Sequence, residues 1–274
     1  MLDCSVPRVM GILNITPDSV SDGGQLFRQQ VLLDAVIARA LQMQADGAAI
    51  LDVGGESTRP GAEAVGEQEE LDRVIPVIEA LRLETSLPIS IDSSKAAVMQ
   101  AAITAGATFI NDVRALQQPD ALWTVAAAAR TNPALQICLM HMQGTPRTMQ
   151  QAPAYGNVVA EVVQFLQQRV MACEQAGIAR DQLVLDPGFG FGKSLEHNLV
   201  LLKNLHELEA IGCPLLVGLS RKSMVSALTG RKDPSERLAG SLALAWAALQ
   251  QGAKILRVHD VKETVDFLKV MAAL

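Results

Sequence analysis

Polar side chains able to do chemistry recur in this 274-residue chain at one kind of place, the end of a short apolar run. In order they are Asn14, Glu56 through Arg59, Asp92, Asn111 with Asp112, His141, Asp186, Ser220 through Lys222, and Arg257 through Asp260. Capping or a salt bridge explains any one of them; all eight runs ending this way point to a shared site. Asp92, Asn111 and Asp186 supply acceptors and an amide. A buried carboxylate pair of this kind suits a flat heterocycle with an amino group and ring N–H donors. Lys222 can donate to a ring carbonyl or nitrogen, and Met140, beside His141, reads as pocket wall. Arg59, Arg221, Arg257 and His259 add cations to an acidic chain. They suit an anion, above all a phosphate, which arginine binds bidentately. One charge pair at ~4 Å gains on the order of 4 kcal/mol at an effective dielectric of about 20, so several can stabilise a departing pyrophosphate. Asn14 offers an oxygen to Mg2+, an ion that takes one or two protein ligands beside phosphate oxygens and water.

The densest stretch is Leu183 to Ser194, LVLDPGFGFGKS. It resembles a phosphate-cradling P-loop, but Pro187 stands where the first glycine of G-x-x-x-x-G-K-[ST] belongs, so that reading fails. A strand delivering Asp186 to its end fits better. The alternate glycines Gly188, Gly190 and Gly192 then let backbone and Phe189 or Phe191 approach something flat. G-x-S-x-G, S-x-x-K and H-E-x-x-H are absent from the sequence. His197 and His206 read as surface residues, and Trp123 and Trp246 as packing between helices and sheet.

The elements that must position these groups alternate throughout. Strand patterns fall at 8–15, 49–54, 88–92, 108–113, 135–141, 182–186, 215–220 and 254–258. Helical patterns fall at 31–45, 67–83, 95–105, 119–129, 157–176, 195–210, 235–251 and 261–271, several stopped by glycine, as at Gly47, Gly106 and Gly177. Eight β–α units predict a single-domain α/β chain over residues 1–274, a (β/α)8 TIM barrel; a doubly wound open sheet is the alternative. In a barrel the chemistry gathers where the strands end. Two long loops, 16–24 and 56–66, follow early strands and are rich in Gly, Pro, Ser and Asp, as functional loops are. Hydrophobic residues make up 49% and aromatics 3%, so the core must be aliphatic. A net charge of −6 gives no footprint for nucleic acid. Scattered Cys4, Cys138, Cys173 and Cys213 suit a reduced, cytoplasmic protein, and neither a signal peptide nor a membrane span is expected.

The motifs MGILNITPDSVSDGG, ILDVGGESTRPGA, ISIDSSK, INDV, LMHMQGTPRTMQ, LDPGFGFGK, LLVGLSRKS and RVHDVKET follow in order from Met10 to Thr264. With them the chain resembles the bacterial dihydropteroate synthases of the pterin-binding TIM-barrel family, targets of sulfonamides, over essentially its whole length. The resemblance implies a transferase that joins 6-hydroxymethyl-7,8-dihydropterin pyrophosphate to 4-aminobenzoate. It implies that Asp92, Asn111, Asp186 and Lys222 hold the pterin, and that Thr58, Arg257 and His259 lie near the pyrophosphate. Asn14 would bind Mg2+, Ser220 and Phe191 would line the aminobenzoate pocket, and loops carrying Asp18, Asp22, Arg59 and Pro60 would close over the site. A homodimer is implied as well. Val20 stands where the family usually has Phe, and Ser93 where Thr is usual. Two alternatives stay open: a pterin-dependent methyltransferase, which would not need the SRK, STRP and RVHD set, and a catalytically silent pterin-binding paralogue.

Overall fold

Aliphatic runs without a polar face make strands that are covered on both sides, and here eight of them pair in chain order. The structure, a computed structural model, describes residues 4–15, 25–56, 65–144, 149 and 153–273, with side chains of the first helix from residue 32 onward. The strands are β1 (Arg8–Asn14), β2 (Ile50–Gly54), β3 (Ile89–Asp92), β4 (Phe109–Asp112), β5 (Gln136–Met140), β6 (Leu183–Asp186), β7 (Leu215–Val217) and β8 (Ala253–Val258). All pair in parallel, and β8 returns to β1 with Arg8 opposite Ile255 and Gly11 opposite Val258, so the sheet is a closed barrel. The helices between them are α1 (Gln25–Ala45), α2 (Glu67–Glu84), α3 (Ala96–Thr104), α4 (Ala121–Thr131), α5 (Val158–Gln175) and α6 (Leu195–Lys203). Two helices, α7 (Ser223–Thr229) and α8 (Leu238–Gln250), follow β7, and α9 (Val261–Ala272) follows β8. The TIM barrel expected from the sequence is the fold, and the open sheet is not.

Local chemistry explains the elements. In α5 the Asn157 side chain accepts from the amides of Val159 and Ala160, both at 3.1 Å. Val158, Val162, Leu166, Val170 and Cys173 then recur at helical spacing on the buried face. The helix α6 is shorter than the pattern predicts: it stops at Asn204, and a 3-10 turn over Leu205–Ile211 carries the remaining apolar residues inward. The single helix expected after β7 is preceded by α7, whose seven residues are too few for a helical period to stand out. Trp123 and Trp246 are more exposed than packing between helix and sheet would make them. They are 64% and 38% exposed, and Trp246 instead meets Phe267 of α9 edge-on.

Two separate cores position the site. The larger fills the space between barrel and helices. The smaller lies inside the barrel, where Met10, Ile50, Phe109, Cys138, Val184, Leu216 and Ile255 form one apolar tier. Side chains alternate along a strand, so stepping on by two residues keeps the inward face. That step leads from Ile50 to Asp52, from Phe109 to Asn111, from Cys138 to Met140, from Val184 to Asp186 and from Ile255 to Arg257. The barrel is thus plugged with apolar side chains at one end and lined with polar ones where its strands finish.

Candidate active site

Three charged side chains from β2, β3 and β8 meet inside the barrel. Asp52 is fully buried and Asp92 is 7% exposed. The Arg257 guanidinium lies across both, donating through Nε to Asp52 Oδ2 and through Nη2 to Asp92 Oδ2, each at 2.6 Å. Ser90 Oγ donates to Asp52 Oδ1, and Asn111 Nδ2 reaches Asp52 Oδ2 at 3.3 Å. Asp52 is therefore saturated. Asp92 is not: its Oδ1 is buried and has no hydrogen-bond partner among the described residues. Burial pushes the Asp92 carboxyl up to about 7; Arg257 opposes this, while Asp52, Glu70 and Asp112 add to it. Burial lowers the Arg257 pKa, but Asp52 and Asp92 reverse that and leave it raised. Asp112, next to Asn111, plays another part. Its two oxygens accept from Ser94 Oγ and from the amides of Arg114 and Leu116, so it shapes the loop after β4.

Asp186 ends β6 and is 6% exposed. Its Oδ1 accepts from the Gly188 amide at 2.7 Å. Burial raises its pKa, against the Gly188 bond, Lys222, Lys193 and Arg257. The loop that follows must turn in left-handed conformations, with φ of 70° at Gly188 and 61° at Gly192. A Cβ on Gly188 would lie 1.9 Å from the His141 carbonyl oxygen, and one on Gly192 would lie 2.4 Å from that of Gln143. The glycines therefore bring the β6 loop onto the β5 loop.

Lys193, 2% exposed, locks that approach. Its Nζ donates to the carbonyls of Gly188 at 2.9 Å, Phe191 at 3.1 Å and His141 at 3.4 Å, and lies 2.9 Å from His141 Nδ1. Burial lowers the Lys193 pKa to about 7, with Asp186 opposing and Lys222 assisting. Burial, then Lys193, lowers that of His141 to about 3, so its ring is neutral and Nδ1 accepts. Of the two phenylalanines, Phe189 is core. Phe191 faces the barrel mouth with Val113, Met140 and Met149, and Lys222 Nζ sits 4.2 Å from its ring centroid.

On the β7–β8 side, Ser220 Oγ accepts from the His259 amide at 3.2 Å and lies 3.1 Å from His259 Nδ1. Arg221 turns its guanidinium onto Asp260. Asn14 is exposed at the end of β1. Gly54 leaves a gap beside it, since a Cβ there would meet Asp92 Oδ2 at 3.7 Å and Asn14 Oδ1 at 3.9 Å.

Asn14, Asp92, Asn111, Met140, Asp186, Phe191, Ser220, Lys222, Arg257 and His259 thus share one end of the barrel. Thr58, Arg59, Pro60, Asp18, Val20 and Asp22 lie outside the described residues. Sequence reasoning treated Arg221 and Arg257 as cations facing an anion, whereas in the structure both are engaged by carboxylates of the chain. It missed Asp52 and the roles of Asp260 and Lys193. The available signal was an acid or lysine in an otherwise apolar stretch, as in ILDVG and GFGFGKS. Such a group must find a partner on another strand.

Residues 10–259 match the pterin-binding enzyme family. The chain is 54% identical to dihydropteroate synthase of Haemophilus influenzae, over 99% of this chain and 95% of that one. It is 55% identical to that of Escherichia coli K12, over 99% and 93%. Among solved structures, the Yersinia pestis synthase with a sulfonamide drug superposes with a TM-score of 0.91 at 51% identity, covering 99% and 95% of the two chains. The Xanthomonas albilineans synthase with 4-aminobenzoic acid gives 0.90 at 51%, covering 99% and 94%. The same bacterium's synthase with 7,8-dihydropteroate gives 0.87 at 49%, covering 99% and 95%. With a closed barrel whose acids and cations meet at the strand ends, this chain belongs to the dihydropteroate synthases, transferases of folate biosynthesis within the pterin-binding enzyme family.

Proposed function

We propose that this chain joins 6-hydroxymethyl-7,8-dihydropterin pyrophosphate to 4-aminobenzoate, and that the acid-lined wall of the barrel is its pterin site. The observation that carries this reading is Asp92 Oδ1, a buried carboxylate oxygen without a partner among the described residues, while Oδ2 is held by Arg257. Such an oxygen calls for a donor from a ligand, and a pterin carries an amino group and ring N–H. Asn111, Asp186 and Lys222 complete its edge, with Met140 against it. Arg257 commits Nε and Nη2 to the acids, which leaves Nη1 to face pyrophosphate with His259. Phe191, the Lys222 stem and Ser220 form the aminobenzoate side; that related synthases are solved with 4-aminobenzoic acid and with 7,8-dihydropteroate supports the choice of ligand.

The chemistry needs no covalent nucleophile. The C–O bond to pyrophosphate breaks with its electron pair leaving on oxygen, and the methylene cation is delocalised into the pterin and steadied by Asp92 and Asp186. The aniline nitrogen then attacks that carbon and sheds a proton. The residues position the reactants and neutralise charge. Mg2+ fits Asn14, whose exposed amide oxygen is a hard donor beside the Asp92 carboxylate. When bound with the substrate's phosphates it would offset charge on the leaving group. Val200 on α6, Leu228 on α7 and Trp246 on α8 expose apolar surface on neighbouring helices, which supports a homodimer. Cys138, Cys173 and Cys213 carry free thiols, which support a reducing, cytoplasmic location, and no described helix is long and apolar enough to cross a membrane.

Pyrophosphate release with both substrates, and with each alone, tests the reading. Release that requires 4-aminobenzoate is expected. Tight pterin binding without release would make the chain the silent paralogue, and methyl transfer from methyltetrahydrofolate would make it the methyltransferase.

A further inference from the structure

We propose that Arg221 and Asp260 form a positioning pair that sets the aminobenzoate side of the site without touching substrate. The inference rests on the assignment of Ser220 to that side. Arg221 lies between two site residues, Ser220 and Lys222, and its own backbone is unusual. Its φ is 58°, a left-handed conformation that side-chain-bearing residues seldom adopt and that surrounding structure must enforce.

Three contacts enforce it. The Arg221 amide donates to Ser241 Oγ on α8 at 2.9 Å. Its carbonyl accepts from Arg237 Nη1 at 2.9 Å. Its guanidinium grips Asp260 in a two-point fork, Nε to Oδ2 at 3.0 Å and Nη2 to Oδ1. The first two fix the peptide, and the third ties the end of β7 to the end of β8. Asp260 follows His259 directly, and it stands at the start of α9 without using its side chain as a cap. The fork therefore holds one neighbour of His259 against one neighbour of Ser220. Those two residues meet through the Ser220 hydroxyl, which takes the His259 amide and lies on its Nδ1. Lys222, on the other side of Arg221, is delivered to the Phe191 ring. A bidentate guanidinium–carboxylate pair fixes angle as well as distance, which suits alignment of two loops.

A cation at a site for anionic substrates has an obvious rival role, direct contact with substrate, and the two roles differ in what removing Asp260 does. With both substrates varied in the steady state, Arg221→Ala and Asp260→Ala should each raise the KM for 4-aminobenzoate about tenfold, as small misplacements do. The KM for the pterin pyrophosphate should stay within about twofold, and the double variant should be no worse than either single one, because both break one contact. Asp260→Asn keeps the shape and one acceptor, so it should fold as the parent does, with an intermediate KM. A wild-type or lower aminobenzoate KM in Asp260→Ala, beside a raised one in Arg221→Ala, overturns the pair, because the freed guanidinium would then be serving substrate itself. Ser220→Ala checks the reading beneath: an unchanged KM there removes the assignment of Ser220 and the proposal with it. A raised KM there with an unchanged one in Asp260→Ala removes the positioning pair alone.

Discussion

The two sides of the barrel mouth treat buried charge in opposite ways. On the β2–β3 side, two carboxylates share one guanidinium, and one of their four oxygens has no donor among the described residues. On the β5–β6 side, one buried ammonium faces three carbonyls and an imidazole nitrogen, more acceptors than it has protons. The first arrangement leaves an acceptor open to a ligand. The second is complete without one, and its product is the shape of a loop. A buried charge near an active site is thus a recognition element only where its bonding capacity is unfilled.

The largest way to break the contrast is at Gly188. Gly188→Ala puts a Cβ into the His141 carbonyl at a backbone angle alanine resists. We expect a loss of about 4 kcal/mol or more, and a fall in Tm on the order of 10 °C by calorimetry. An unchanged Tm would mean that the two loops are not locked together.

Next come the two aspartates, which should separate stability from affinity. Asp52→Asn removes a saturated partner of Arg257 and should destabilise by about 3 kcal/mol in urea unfolding. Asp92→Asn removes the unfilled acceptor and should cost roughly 1.5–3 kcal/mol of pterin binding in titration calorimetry, with the fold intact. Wild-type affinity in Asp92→Asn would end the pterin assignment.

The smallest effect is on pH. In the free site Asp92 titrates at about 7, because burial disfavours its charge. A pterin N–H needs the ionised oxygen, so protonation competes with binding: affinity should hold above pH 7 and fall as pH drops through it, up to about tenfold per unit. Asp92→Asn should abolish this slope. A flat wild-type profile from about pH 6 to 8 would show that Asp92 is already ionised before the pterin arrives.

Much of this was legible in the sequence because two regularities are local. Apolar runs alternating with helical spacing prescribe eight β–α units, and strand ends are readable as the last apolar residue before Gly, Pro or charge. Asp92, Asn111, Asp186 and Lys222 were found in that way. Val20 and its loop, named from the family pattern, lie outside the described residues. Where helical reading slipped, at α6 and at the added α7, the segments were too short for the period to decide.

The sequence by itself determined the order of the units, the aliphatic core and the family, since each depends on which residues neighbour one another along the chain. Only the tertiary structure decided partners. Asp52 and Arg257 are 205 positions apart, and Arg221 and Asp260 are 39 apart. Composition shows these charged groups but not that they neutralise one another across the barrel. Nor does it show that Lys193, an expected surface charge by type, closes a buried loop, or that Trp123, a core residue by type, faces water. The physical reason is that desolvation acts on a group's surroundings, which exist only once the barrel has closed and brought strands distant in sequence within hydrogen-bond reach.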